Sequence, residues 1–416
     1  MSRVLSDAPA HRSVAATPVR TANRTASFVL HASVLAALMA ASSAPTPLYP
    51  LYQEHRGLSA LAITLVFSAY ALALLLALLT TGALSDHLGR RPVLVGALVV
   101  VAAAMVLLAS ADDAGSLIAA RVLQGVATGT ATSAAGAALL DLEHPRRPGR
   151  SALTNSIAPV AGMAAGVLAA TLVRFAPAPT VTVYLLLAAL FVVQAIAVAF
   201  TAETASRRPG ALRSLHPKLR VPLTVRRALS AVGAGVVAVW ALGGFSSSLG
   251  PALVRLVAPD APQAARGMVF FALSAAAALT VWTLRRAAPL ATAIGGCLAV
   301  LPAASLTLSG LHGPGLPAIY GGAVLAGIAF GAVSQGALRM ILASLDARDR
   351  AATLAAYYVL SYLAMSLPAV VAGAATQRYG LGTTAHAYGI AAALLAATAL
   401  AALAAARRGP SHDHLR

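Results

Sequence analysis

The sequence predicts an all-α membrane protein: twelve transmembrane helices in two pseudo-symmetric six-helix bundles. Three observations lead there. The 416 residues are 59% hydrophobic and only 10% charged, whereas a soluble domain carries about 25% charged residues. Apolar residues come in long blocks: SALAITLVFSAYALALLLALLTTGAL from Ser59 runs 26 residues without a charge, more than the ~20 needed to cross a bilayer core. The two halves of the chain also echo one another at an offset of about 204 residues.

Residues 1–25 hold Arg3, Arg12, Arg20 and Arg24 but no apolar run, so they lack the core of a secretory signal and read as a disordered tail. Charged and Pro/Gly-rich breaks then mark the spans. The first six fall at 26–49, 59–83, 92–110, 116–140, 151–173 and 181–200. Their breaks include Glu54 with Arg56, the turn around Asp86, the pair Asp112 and Asp113, the arginines Arg146, Arg147 and Arg150, and Arg174. Residues 201–227, TAETASRRPGALRSLHPKLRVPLTVRR, have the Pro, Gly and Arg content of a linker. Six more spans fall at 228–254, 267–284, 288–310, 316–343, 351–376 and 386–406, followed by a tail at 407–416. The expected bundles are therefore 26–200 and 228–406. The echo pairs Ser42, Ser43 and Pro47 with Ser246, Ser247 and Pro251. Such a repeat places a substrate site near the midplane between the halves.

An even number of spans puts both termini on one side. That side carries 23 of the 30 basic residues and the other five, with Arg121 and Arg339 inside spans. Basic residues are retained in the cytoplasm, so both termini are expected there, in a multi-pass plasma membrane protein. The same loop-by-loop distribution argues against nucleic acid as a partner, despite a formal charge of +18, because such binders gather their charge on one face. A lone Cys297 excludes an internal disulfide.

Between the second and third spans lies GALSDHLGRRPVL, residues 82–94. Gly82, Leu84, Asp86, Gly89, Arg90, Arg91 and Pro92 make the sequence resemble the major facilitator superfamily, whose signature occupies this turn. The resemblance implies that the cluster holds the cytoplasmic gate shut in the outward-open state, with Gly82 packed against span eleven and Asp86 facing that helix's positive N-terminal end. Arg90 and Arg91 would pair with acids such as Asp141 or with anionic lipid headgroups.

In span four, RVLQGVATG supplies Arg121, Gln124, Gly125 and Gly129, matching a second family pattern. A buried arginine costs ~2.5–3.5 kcal/mol on insertion scales, so it is tolerated facing protein or a wet cavity. Arg339 is expected to snorkel to the interface instead. In span five, Asn155, Pro159, Gly162 and Gly166 share one face. Drug and proton antiporters of the superfamily carry a Gly, Pro and Gly-Gly pattern there; this chain resembles that branch at Pro159 and Gly162 but has Ala158 and Met163 where glycine is expected. A bent helix with a packing groove explains the same residues.

Cavity-lining candidates are Ser42, Ser43, Tyr70, Gln194, Trp240, Ser246, Gln335, Tyr358 and Tyr362, a set suited to an amphipathic or apolar solute. All 12 acids fall in loops, tails or helix ends, so a mid-membrane carboxylate is not expected to carry a proton. His31 and Arg121 are the candidates for proton coupling, His31 because an imidazole titrates near neutrality. No cluster of catalytic or metal-ligating groups is evident, so neither an enzyme nor a metal or other cofactor is expected. The resemblance implies a monomeric secondary transporter of small organic compounds working by alternating access, with proton-coupled efflux ahead of import or a receptor role.

Overall fold

The computed structural model describes residues 21–173, 175, 177–216, 223–313, 315–343 and 350–408. Most of both expected tails and the middle of the expected linker, 217–222, lie outside the described residues. Twelve helices of 20 residues or more appear: α1 (Thr21–Ser43), α2 (Ala60–Thr80), α3 (Arg90–Ala109), α4 (Ala114–Asp141), α5 (Arg150–Val173) and α6 (Pro179–Ala199), then α7 (Leu223–Ser248), α8 (Gln263–Thr283), α9 (Pro289–Gly310), α10 (Leu316–Ala343), α11 (Arg350–Tyr379) and α12 (Leu381–Arg408).

Local chemistry sets several of these ends. Ser59 caps α2 by accepting the Ala62 N–H at 3.1 Å. Asp113 and Ser116 form a reciprocal capping box on α4. Prolines open α6 and α9, where a missing N–H costs nothing. Ten helices are long and apolar enough to cross a membrane, and the bent pair Val232–Ser248 and Gly250–Val257 makes an eleventh. α4 alone falls short, diluted by Arg121, Gln124 and a run of Gly, Thr and Ser.

The expected spans need four corrections. Span one runs past residue 49, since Arg24–Arg56 forms one continuous span; within it α1 ends at Ser43, and Pro45, Pro47 and Pro50 carry the chain through Thr46–Leu48 into a short helix, Tyr49–Arg56. At the counterpart break Val232–Ser248 and Gly250–Val257 meet at 64°, so the echo at Ser43/Ser247 and Pro47/Pro251 marks an interruption in both helices that becomes a sharp bend in α7. α12 starts at Leu381 rather than 386, which moves His386 from the first residue of the span into the second turn, edge-on to His312. The turn between α2 and α3 holds its own helix, Leu84–Leu88, and the linker holds another, Ala211–Ser214, with α7 already begun at Leu223.

The helix contacts repeat every six helices. In the first half α1 packs on α5, α2 on α4, and α3 on both α4 and α6; in the second, α7 packs on α11, α8 on α10, and α9 on both α10 and α12. The halves meet where α2 contacts α11 and α5 contacts α8, two pairs that the repeat exchanges. Glycines permit the close approaches. A side chain at Gly125 would strike the Tyr70 carbonyl, and one at Gly129 the Leu74 carbonyl; Gly327 and Gly331 meet the Leu273 and Ala277 carbonyls in the same way.

Candidate functional site

Two regions carry the polar chemistry. The first is the α2–α3 turn on the arginine-rich face. Gly89 adopts φ 100° and ψ 149°, a conformation open to glycine, and this swings the chain into α3. Arg90 bonds Ser85 Oγ at 2.8 Å and Asp141 Oδ2 at 3.2 Å, and it pairs with Asp86. Arg91 does not reach Asp141; its Nη1 donates to the Thr201 carbonyl at 3.3 Å. Thr204 Oγ1 donates to Asp141 at 3.0 Å. Pro92 sits in the first turn of α3, where it is tolerated.

Residues beyond α6 complete this cluster. Glu203 accepts the backbone N–H groups of Arg90 and Arg91, and the Arg208 N–H donates to the His87 carbonyl at 2.9 Å. Sequence reading missed these roles, because a single acid in a Pro/Gly/Arg segment looks solvated. The atoms nearest to a side chain added at Gly82 belong to the first half and not to α11: its own Leu78 carbonyl and, at 3.6 Å, Ser133 Oγ of α4. The physical reason is the shape of the α2–α11 contact. It runs from Thr64 against Gly373, through Ser68 Oγ donating to the Ser366 carbonyl at 3.1 Å, to Tyr70, Leu74 and Leu78 with Tyr362 and Met365. The hydrogen bonds and ion pairs described for the turn stay within the first half and residues 201–209. Asp86 therefore pairs with Arg90, and the first side chains of α11, 350–352, lie outside the described residues.

The opposite face is bridged between the halves. Glu54 accepts Arg266 at 3.0 Å and Arg255 at 3.4 Å, and Thr46 Oγ1 lies 3.2 Å from Ser247 Oγ. Pro47 fills the space over Gly267.

The second region lies inside the bundle. Arg121 is the one arginine fully buried among the described residues. Its Nη1 donates to Gln124 Oε1 at 2.7 Å and to the Ser42 carbonyl at 3.3 Å, and its guanidinium lies 4.3 Å from the centre of the Tyr70 ring. Nε and Nη2 make no well-formed hydrogen bond, although the buried Tyr49 hydroxyl lies beside the guanidinium. Across the interface Tyr362 packs on the Tyr70 cluster, Trp240 stands 5.3 Å from Tyr362 and 5.2 Å from Phe330, and Tyr358 lies 6.3 Å from Tyr362. Phe330, Met39 and Met365 belong to this lining and were not singled out from sequence, where apolar residues on an apolar helix carry no mark.

The remaining candidates scatter. Gln194 does not face the interface; its amide donates to Ser33 Oγ at 3.3 Å, because α6 packs on α3, α1 and α5 of its own half. Gln335 bonds the Val281 carbonyl of α8 at 3.1 Å, Ser43 the Met163 carbonyl at 2.8 Å, and Ser246 is half-buried near the end of α7. Asn155 Nδ2 reaches the Gly136 carbonyl at 3.3 Å. Pro159 lies inside α5, and Gly162 and Gly166 seat the Ala36 and Ala40 carbonyls of α1. His31 is buried, with Nδ1 2.7 Å from the Ser27 carbonyl. Arg339 reaches the Ala287 carbonyl at 2.8 Å, toward the start of α9. The described acids lie in loops, short helices or at helix ends, and no metal-holding cluster occurs among the described residues.

A paired-bundle fold with a polar centre between the halves defines a membrane transporter. Residues 32–311 match the Major Facilitator Superfamily, and the chain belongs to that family of secondary transporters rather than to an enzyme class. Among solved structures it is similar to a bacterial homolog of the human lysosomal transporter Spinster, in an inward-facing and unoccupied conformation, with a TM-score of 0.74 and 14% identity over 92% of this chain and 97% of that one. It is also similar to the nucleoside transporter NupG, with a TM-score of 0.68 and 13% identity over 90% and 98%. The human organic anion transporter MFSD10 matches with a TM-score of 0.65 and 20% identity over 92% and 100%. No protein of curated function matches the sequence.

Proposed function

We propose that this transporter exports small amphipathic organic compounds across the plasma membrane in exchange for protons, as a monomer with both termini in the cytoplasm. The observation that carries the reading is the interior site: a buried Arg121 with two nitrogens in no well-formed hydrogen bond, bordered by Tyr70 and, across the interface, by Tyr362 and Trp240. Aromatic walls take an apolar body, and the guanidinium N–H groups donate to an acceptor or anionic end. The basic residues assign the arginine-rich face to the cytoplasm. Cross-half ion pairs on the other face, with none at the α2–α3 turn among the described residues, support a carrier open to the cytoplasm and ready to load there. Pro159 and Gly162 favour the antiporter branch.

Everted vesicles with an imposed pH gradient, acid inside, test this reading. Fluorescent amphipathic anions should accumulate in the lumen in proportion to the gradient. Accumulation only when the gradient is reversed makes the protein an importer, and binding without flux makes it a receptor.

A further inference from the structure

An open groove of about 510 Å³ runs along the outside of the first half, between the short helix Leu84–Leu88, α3 and α4. That volume falls in the ~300–1,000 Å³ range of small-molecule sites. Its walls are Leu84, Leu88, Val93, Val100, Val126 and Ala127, and its floor widens at Gly96, where a side chain would meet nothing within 4 Å. Leu88 of the short turn helix is exposed, as are Val100 and Val126 on the long helices α3 and α4, where exposed apolar side chains face acyl chains. Arg207, from the segment beyond α6, stands at the groove's arginine-rich end. It is exposed and makes no hydrogen bond or ion pair among the described residues.

We propose that this groove is a specific site for an anionic phospholipid, its acyl chain lying along Gly96 and Val100 and its phosphate held by Arg207. The charge pattern selects this occupant: an apolar trough within the hydrocarbon layer ends in an unpaired cation at headgroup depth, and guanidinium groups bind phosphate well. The site shares Leu84–Leu88 and Pro92 with the turn that carries Asp86 and Arg90, so a seated lipid braces that turn.

Native mass spectrometry of the purified full-length protein, with phosphatidylglycerol or phosphatidylcholine added, tests the proposal. Wild type should retain one phosphatidylglycerol in preference to phosphatidylcholine. Arg207→Gln should lower phosphatidylglycerol retention at least about threefold, the order expected from losing one basic contact to an anionic headgroup, and leave phosphatidylcholine retention unchanged. Gly96→Leu should reduce retention of both while the melting temperature in detergent alone does not fall below the wild-type value. Arg147→Gln, on the same face but outside the groove, should change nothing. Equal retention of the two lipids by wild type, or an equal loss in Arg147→Gln and Arg207→Gln, would overturn the site.

Discussion

Glu203 stands 113 residues beyond Arg90, yet its Oε1 accepts the Arg90 backbone N–H at 2.8 Å and its Oε2 accepts that of Arg91 at 3.1 Å. The first N–H groups of a helix have no intrahelical partner, and Gly89, which precedes α3, has no side chain to supply one. A carboxylate from just beyond the last helix of the first half therefore caps α3. It adds favourable charge at the helix N-terminus and ties the segment beyond α6 to the turn.

Removing this cap should cost about 0.5–2 kcal/mol, the range for N-cap losses. Glu203→Ala is expected to melt earlier than wild type in detergent, with Glu203→Gln in between because an amide oxygen still accepts. A Glu203→Ala protein as stable as wild type would mean that water replaces the cap without loss.

Much of this architecture was readable from sequence, and the remainder has physical reasons for being hidden. Long uncharged runs exposed the spans, because a bilayer demands them. The breaks after Ser43 and Ser248 were foreshadowed by the Pro47/Pro251 echo, but the sharpness of the second was not, since proline in a greasy run reads equally as a span interior. The glycine pairs Gly125/Gly129 and Gly327/Gly331 repeat at an offset of 202 and were legible, yet only the first pair drew notice, because Arg121 stands beside it. Ala323 occupies the corresponding place in α10, so the fold does not require an arginine there. Glu203 was invisible because its partner is backbone.

Gly89 and Gly96 should respond in opposite ways to alanine. At Gly89 the backbone has positive φ, and an added Cβ would lie 2.6 Å from Glu203 Oε2; strain of this kind costs about 1–3 kcal/mol. At Gly96 the space is open and the backbone helical, so alanine should stabilise by about 0.5–1 kcal/mol. Thermal melts of the two variants give the comparison, and a neutral Gly89→Ala would show that the turn relaxes freely.

The Asp113 carboxyl is held below its ordinary range, chiefly by the Ser116 backbone N–H and also by the Ser116 hydroxyl. A depressed carboxyl stabilises the folded state above its unfolded value of ~3.9, and that contribution disappears as pH falls through the lower folded value. Asp113→Asn should therefore flatten the loss of melting temperature between neutral and acid pH. An unchanged acid profile would assign that loss to other carboxylates.

Arg121 separates folding from function. Removing Arg121 ends the desolvation cost of a buried charge but leaves the Gln124 Oε1 and Ser42 carbonyl acceptors unpaired, about 1–3 kcal/mol each, so Arg121→Met should fold and melt within a few degrees of wild type. Transport should fall at least about tenfold, the change that 1.4 kcal/mol of lost substrate interaction produces. Arg121→Lys should recover little, since one ammonium cannot serve Gln124, the Ser42 carbonyl and the Tyr70 face at once. A Met variant that folds and transports normally would make Arg121 a packing residue.

Proton coupling has few candidates in this chain. The described carboxylates lie in loops, short helices or at helix ends, whereas a carrier that trades protons for substrate needs a titratable group shielded from bulk water. His31 is 3% exposed, and the Ser27 carbonyl places its proton on Nδ1, leaving Nε2 to load and release a second one. Four residues along, Leu35 belongs to the core of the first half, so a charge gained at His31 acts within that half's packing rather than at the substrate. His31→Gln keeps a polar group of similar reach but cannot ionise. It should leave substrate exchange at equal pH intact and abolish the response of transport to an imposed gradient, read as flux in proteoliposomes across one unit of pH difference. If the variant still follows the gradient, coupling moves to an interfacial carboxylate. Glu54 is then the first to test, because losing its charge would release Arg255 and Arg266, the ion pairs that bridge the two halves on that face.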